Sequence, residues 1–507
     1  MMRHFHCLRG RRGARAVACT TTMALLAVSP SAAKDAGRTA AAAAQACASD
    51  NGGITLPPGF CATVFADNIG HARQMVVAPN GVVYVNTWIG GFYSKDKPPP
   101  GGFLLALQDT KGDGRADVVV RFGPDAKSGN AGGTGIALYK GALYAETNDR
   151  IVRYTLLADT VGPSGPPEVI LSGLPLTGIH PMHPFKIDAQ GSLYVDLGAA
   201  TNSCAFGPYS RGIEPCPELT THGGIWRYDA NRTGQQFSPA ERFATGLRNA
   251  EGIAFDAAGR IFATQHGRDH LEFWRGLYTP MQGANEPAEE LVQLERGADY
   301  GWPYCYFDLG QQKLVLAPEY GGDGKTVGLC ADKRAPIAAF PAHWAPNDLL
   351  LYDGHQFPAA YQGGAFIAFH GSGAPVQAGY NVVFQPLANG KASGPFVVFA
   401  DGFAGAVKLP DRAAHRPSGL AVGPDGALYI SDDRRGRIWR VTYRGPATAA
   451  VTAAAAPRRA HRQLGAQSGC SEVRHSSRCR FAGGGRGSEN PRAYANLPSG
   501  TRIRGRR

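Results

Sequence analysis

The sequence predicts an all-β protein, a β-propeller, on three observations. First, one phrase recurs: an apolar strand, a Gly/Asp/Asn turn, then a second strand with an aromatic near its start. It reads MVVAPNGVVYVNT at 75–87, IALYKGALYAET at 136–147, FKIDAQGSLYVDL at 185–197, IAFDAAGRIFAT at 253–264 and LAVGPDGALYISD at 420–432, with a weaker copy at 101–122. Second, 67 glycines and 36 prolines end strands often, which favours many short strands over long helices. Third, 43% hydrophobic content over 507 residues is ample for a large core. A hairpin that cannot bury both faces alone needs neighbours on each side, and a ring of blades supplies them. A pair of packed sheets explains the shared hairpin less well.

In chain order, residues 1–33 read as an export signal: a basic MMRHFHCLRGRRGAR, an apolar AVACTTTMALLAV and a small-residue SPSAA. Residues 34–53 are an alanine-rich linker, and 54–445 form the propeller domain, interrupted by insertions at 270–289 and 306–345. Residues 446–507 are rich in Arg, Gly and Ser with few apolar positions, so a disordered tail is expected. No run of about 18 apolar residues occurs, which argues against an integral membrane protein. The expected location is the periplasm or the medium outside the cell.

Export permits disulfides. The ten cysteines fall into local pairs, Cys47 with Cys61, Cys204 with Cys216, Cys305 with Cys330 and Cys470 with Cys479, while Cys7 and Cys19 belong to the signal. Spacing alone leaves the connectivity open. There is no C-x-x-C-H haem motif and no C-x-x-C zinc pair.

A net charge of +12 invites a nucleic-acid partner, but its distribution excludes one. Residues 451–507 carry +10 and residues 1–33 carry +5, which leaves −3 over residues 34–450. The folded body is mildly acidic and has no need of phosphate partners.

The stretch Gly246–Asp269 carries the densest signal: Arg248-Asn249 in a loop, a hairpin, then the polar loop Gln265-His266-Gly267-Arg268-Asp269. His180 and His183 precede a strand between prolines, in reach of a general-base role. His343, Trp344 and His370 flank two further strands, and Arg416 stands just before a strand as Arg248 does. Loops that enter innermost strands line one mouth of a propeller, so these side chains are expected to converge. ADYGWPYCYFD (298–308) reads as a packing anchor held by Cys305. DTKGDGRADVV (109–119) has calcium-loop spacing, but Lys111 replaces a ligand and the closing Glu is missing, so a structural turn is expected.

Taken with LPPGF, GIHPMHPFKIDAQGSLYVDLG, GLRNAEGIAF, ADYGWPYCY, GHQFPAAYQGGAFIAFHGS and RPSGLAVGPDGALYISDD in that order, the chain resembles the glucose/sorbosone dehydrogenases that depend on pyrroloquinoline quinone (PQQ), over about residues 54–443. The resemblance implies six blades, with PQQ and Ca²⁺ over the central channel. It implies His180 as general base, Arg248 as the arginine stabilising charge at the quinone oxygen, and Asn249 beside the cofactor. Arg416 matches a partner of a cofactor carboxylate, and His370 lies near a cofactor-binding lysine; His343, expected at the same mouth from its place before a strand, is a further cofactor-binding candidate. Gly267 and Arg268 fall where backbone carbonyls hold the calcium. Two positions depart from the pattern: Ser418 stands where glucose enzymes place a second arginine, and Ala199 where the base's supporting carboxylate falls.

The implied reaction is hydride transfer from an aldose, sorbosone-like sugar or related hydroxy compound to PQQ, with electrons leaving to an external cytochrome or quinone. Two other classes compete. A lactonase-like hydrolase needs Glu, Asp or Asn on loops where this chain places Arg and His. A non-catalytic extracellular binding propeller is favoured only by Ala199 and Ser418.

Overall fold

Each full copy of the recurring phrase forms the inner pair of an antiparallel four-stranded blade, and in the blade that holds 136–147 a short strand, Gln235–Gln236, adds to the outer edge in parallel. The computed structural model describes residues 49–445 apart from Asp159 and 374–376. The expected signal, most of the linker, the tail and Cys7, Cys19, Cys47, Cys470 and Cys479 lie outside the described residues.

Six blades follow in chain order. Blade one comprises Ala72–Val77, Val83–Thr87, Leu104–Gln108 and Val118–Phe122, and blade two Ile136–Tyr139, Ala142–Thr147, Arg150–Thr155 and Ser164–Ser172. Blade three comprises Phe185–Ile187, Ser192–Leu197, Gly224–Asp229 and Arg242–Thr245, and blade four Ile253–Phe255, Ile261–Gln265, Glu289–Leu294 and Ala338–Phe340. Blade five comprises Pro346–Leu351, Gly364–Phe369, Asn381–Ala388 and Val397–Ala400. Blade six takes Pro417–Val422, Leu428–Asp432 and Ile438–Tyr443, and its outermost strand is the chain's first, Phe60–Ala66. That strand pairs antiparallel with Phe60 opposite Tyr443 and Val64 opposite Trp439, which closes the ring.

The weak sixth copy at 101–122 is not an inner hairpin but the outer pair of blade one. Its Asp/Gly loop imitates the recurring turn. Asp109 accepts from the backbone N–H groups of Lys111, Gly112, Asp113 and Gly114, and Asp117 from Thr110, so both carboxylates serve the turn itself. The true sixth inner hairpin, Pro346–Leu351 with Gly364–Phe369, has a long connection in place of the short turn.

The core lies between blades. Sheets covered on both faces bury successive residues rather than alternate ones, and every residue of Gly364–Phe369 is buried. Between blades five and six, Phe60 packs its ring 4.8 Å from Phe357, 5.1 Å from Tyr361 and 4.9 Å from Phe399. Two expected disulfides are present, Cys204–Cys216 and Cys305–Cys330. Cys61 is also disulfide-bonded. Trp302 of the expected anchor is buried against Cys204, Cys216 and Ala199. No helix among the described residues is long and apolar enough to cross a membrane.

Trp439 joins ring closure to the core. It is fully buried, donates its indole N–H to the Gly52 carbonyl at 3.0 Å and packs 5.1 Å from Phe403. Trp439→Ala should cost about 3–5 kcal/mol, read as a lowered midpoint in chemical unfolding; an unchanged midpoint contradicts this account of closure.

Candidate functional site

In an antiparallel blade, the loop entering the innermost strand and the loop leaving the second strand lie at the same end. His180, Arg248, His343 and Arg416 sit in the entering loops of blades three to six. Gly267, Arg268 and His370 sit in the leaving loops of blades four and five. With Asn249 beside Arg248, all eight candidate residues are therefore gathered at one mouth.

His180 is partly exposed, and its Nδ1 lies 3.0 Å from the carbonyl of Ala199. A carbonyl only accepts, so Nδ1 carries the proton and Nε2 is left with the lone pair. Ala199 thus orients the imidazole with its backbone where its side chain has nothing to offer. Gly198 makes the approach possible: a Cβ there would lie 2.6 Å from His180 Cβ and 2.7 Å from Asn249 Oδ1. Burial, the neighbouring Arg248 cation and His266 hold the His180 pKa well below the ordinary histidine value, so the ring is neutral near pH 7. His183 is different. Its Nδ1 lies 3.1 Å from Glu146 and its Nε2 2.9 Å from the Pro175 carbonyl, so it is a satisfied core residue.

Four arginines are buried at this mouth: Arg73, Arg248, Arg268 and Arg416. Arg248 donates to the Gly267 carbonyl at 2.9 Å and to Asp269 at 2.8 Å. Arg268 pairs with Glu319. Arg73 donates to Asp433 at 2.7 Å and pairs with Glu251. Arg416 alone of the four forms no side-chain ion pair among the described residues: it donates to the carbonyls of His370 at 3.2 Å and Gly371 at 2.7 Å. Its charge is therefore uncompensated by direct contact.

Asp433 is the hub of the far side. It accepts from Arg73, from Tyr93 at 2.9 Å and from His370 Nε2 at 2.7 Å. Burial pushes this carboxyl up, but His370, Arg73 and Arg416 outweigh it and hold it below the usual range. His370 is pushed down to about 4 by burial and Arg416. Its Nε2 is committed to Asp433. His343 is held by the Gly283 carbonyl at 3.0 Å and lies 3.6 Å from Asp269. Against the effect of burial, Asp269 raises its pKa. Asn249 donates to Glu251 at 3.2 Å and so joins the Arg73 side to the Arg248 side.

Arg73, Glu251, Asp433 and Tyr93 are site residues that spacing did not single out, and Asp269, at the end of the polar loop, had no role assigned to it. Arg73 had a usable signal, since HARQMVV puts it at the head of an innermost strand, as with Arg248 and Arg416. Glu251 and Asp433 had none, because their shared partner Arg73 is 178 and 360 positions away.

A tricarboxylate ligand such as PQQ fits this mouth. Arg416 has donors free of any carboxylate, and the buried Nε of Arg248 has no hydrogen-bond partner among the described residues. Calcium fits less well. The Gly267 carbonyl already accepts from a guanidinium, and no group of three or more His, Cys, Asp or Glu among the described residues could hold a metal ion. The ion takes six to eight oxygens, so the expected site would rest on backbone carbonyls, and that of Gly267 is shared with Arg248.

A family model described as TrAA12-like matches residues 54–444. A Borreliella burgdorferi protein named only as uncharacterized is 28% identical over 209 residues, 40% of this chain and 49% of that protein. The pyrroloquinoline quinone-dependent pyranose dehydrogenase of Coprinopsis cinerea is 27% identical over 231 residues, 38% of this chain and 30% of that one. The matches thus span about half and about a third of these relatives. Among solved structures, a Trichoderma reesei protein of Carbohydrate-Active Enzymes Family AA12 has TM-score 0.62 at 20% identity, covering 77% of this chain and 98% of its own. The holo PQQ domain of the Coprinopsis pyranose dehydrogenase has TM-score 0.61 at 18% identity, covering 77% and 97%. At these identities the structures share the fold.

Arg73→Met strands two buried carboxylates, Glu251 and Asp433. It should cost about 3–5 kcal/mol of stability, measured by denaturant unfolding. A loss below about 1 kcal/mol, the range of a surface pair, contradicts the role given to this arginine.

Proposed function

The chain belongs to the TrAA12-like family, and on that premise we propose that it is an exported PQQ-dependent sugar dehydrogenase. The observation that carries the proposal is one mouth holding both a neutral, oriented His180 and the uncompensated Arg416. The substrate class is a pyranose or sorbosone-like sugar, and the electrons leave to an external cytochrome or quinone. The matched Coprinopsis relative, named for PQQ and pyranose, supports the choice of cofactor and substrate.

Arg416, Arg248 and Asn249 would hold the cofactor, since guanidinium groups give bidentate, charge-assisted bonds to carboxylates and do not lose their proton. When bound, PQQ supplies the two-electron acceptor for the hydride. His180 takes the substrate hydroxyl proton at Nε2, because Nδ1 is committed to the Ala199 carbonyl. The Arg248 cation beside it favours the neutral ring before transfer and stabilises negative charge as it develops. Asp269 and Gly267 fix that guanidinium in place. No step is routed through calcium.

Purified full-length chain should bind added PQQ and then reduce a dye only when sugar is present; failure to bind PQQ sinks the proposal. Repeating the binding with Ca²⁺ and with chelator tests the metal separately. His180→Ala should lower turnover by about 10²–10⁴ and leave PQQ affinity intact, whereas equal loss of both makes His180 structural. Because the base works only when neutral and its pKa is lowered, activity should persist as pH falls past 6.5. An acidic limb of kcat/KM centred at or above 6.5 contradicts the assignment.

A further inference from the structure

Two loops leaving blades three and four, 198–223 and 266–288, carry large apolar side chains into solvent beside the mouth. Phe206 is 75% exposed, Met281 70%, and Tyr209 and Phe273 44% each. Three of the rings on these loops meet. Tyr209 and Phe273 have centroids 4.6 Å apart and His270 and Phe273 5.2 Å, both tilted, while Tyr209 and His270 meet edge to face at 6.3 Å. The cluster is continuous with the site, since His270 follows Asp269, the carboxylate that fixes Arg248.

These loops are held firmly although their side chains are not buried. Cys204–Cys216 closes the first, and Ala205 bridges to Gly212 within it. Asn202 and the Asp269 backbone exchange two hydrogen bonds of 2.9 Å, which tie the two loops together. Thr279 and Gln282 form a capping box on the short helix Pro280–Asn285. Tyr209 and His270 both have left-handed backbone, φ 56 and φ 71. That conformation is unfavourable for a side chain with a Cβ and persists only where the surroundings impose it. Order imposed on residues that gain little burial is the mark of a preorganised binding surface.

We propose that Tyr209, His270 and Phe273 form a distal saccharide subsite, so that the substrate is an oligosaccharide or a glycan end rather than a free monosaccharide. The proposal rests on the sugar-dehydrogenase reading and extends it. A pyranose ring has one apolar C–H face and a rim of hydroxyls, and the cluster offers both complements. Tyr209 and Phe273 give aromatic surface. His270, paired with Glu272 at 3.1 Å, and the half-exposed Asp269 give polar groups at its edge. A hydroxyl rim can add hydrogen bonds to these groups, which a purely apolar ligand cannot. A reducing sugar seated at His180 and extended toward the neighbouring loops meets this cluster.

The test is titration of the purified full-length chain, without turnover, with glucose, cellobiose, cellotriose and maltotriose by calorimetry or ligand-observed NMR. Wild type should bind one of the trisaccharides about tenfold tighter than glucose. Tyr209→Ala and Phe273→Ala should abolish that ratio with thermal unfolding little changed, since both residues are nearly half exposed. Equal affinity for glucose and both trisaccharides, or a ratio that survives both variants, overturns the subsite. Self-association in ultracentrifugation that the variants remove, without saccharide binding, also overturns it and makes the patch a copy-to-copy interface. PQQ binding measured in parallel separates failure of the subsite from failure of the dehydrogenase reading.

Discussion

One buried cation holds the channel end of this ring together. Arg73 comes from blade one, and it reaches Asp433 after blade six's second strand, Glu251 at the head of blade four and Thr134 before blade two. Four blades thus meet through one side chain. Each carboxylate is too deeply buried to be ionised alone, because desolvation disfavours its charge. Glu251 shows the strain of the bargain, since burial raises its pKa even beside the guanidinium. With Arg73 and His370 serving Asp433, Arg416 is left with two carbonyls and the Tyr380 ring, and among the described residues no carboxylate touches it, so a ligand can answer its charge.

The chemistry at the opposite side of the mouth follows from similar restraint. His180 is oriented by a backbone carbonyl rather than a carboxylate, so nothing adjacent stabilises its proton strongly. Burial and Arg248 then keep it neutral. A carboxylate at residue 199 would have raised its pKa, so the alanine there keeps the ring neutral, as the base role proposed for it requires. Asp269 is better placed to hold Arg248 and His343 than to protonate the base.

Much of this was legible in the sequence, and the limits have physical causes. Hairpins with short turns declare themselves locally, through two-residue alternation and a Gly/Asp turn, so five of six inner pairs were plain. The sixth, 346–369, was readable as two strands but not as a copy of the hairpin, because a long connection replaces its turn, while the Asp109 loop produced a false copy. Residues at the heads of innermost strands, His180, Arg248 and Arg416, were readable as converging because the ring fixes which end such loops occupy. Arg73 obeys the same rule and was missed only because its strand begins one residue earlier. The pairing of Glu251 and Asp433 was not readable, since it exists only once the ring closes. His183 looked as functional as His180 until Glu146 and the Pro175 carbonyl were seen to consume both its nitrogens.

The account stands most directly on the affinity of the chain for PQQ with and without the Arg416 charge. Calorimetric titration of wild type and Arg416→Gln, at equal pH and salt, reads it. Loss of charge-assisted bonds worth about 1.5–3 kcal/mol predicts roughly ten- to hundredfold weaker binding in the variant, with its unfolding midpoint unchanged. Equal affinity in the two proteins would contradict the claim that an uncompensated arginine at the propeller mouth receives the cofactor.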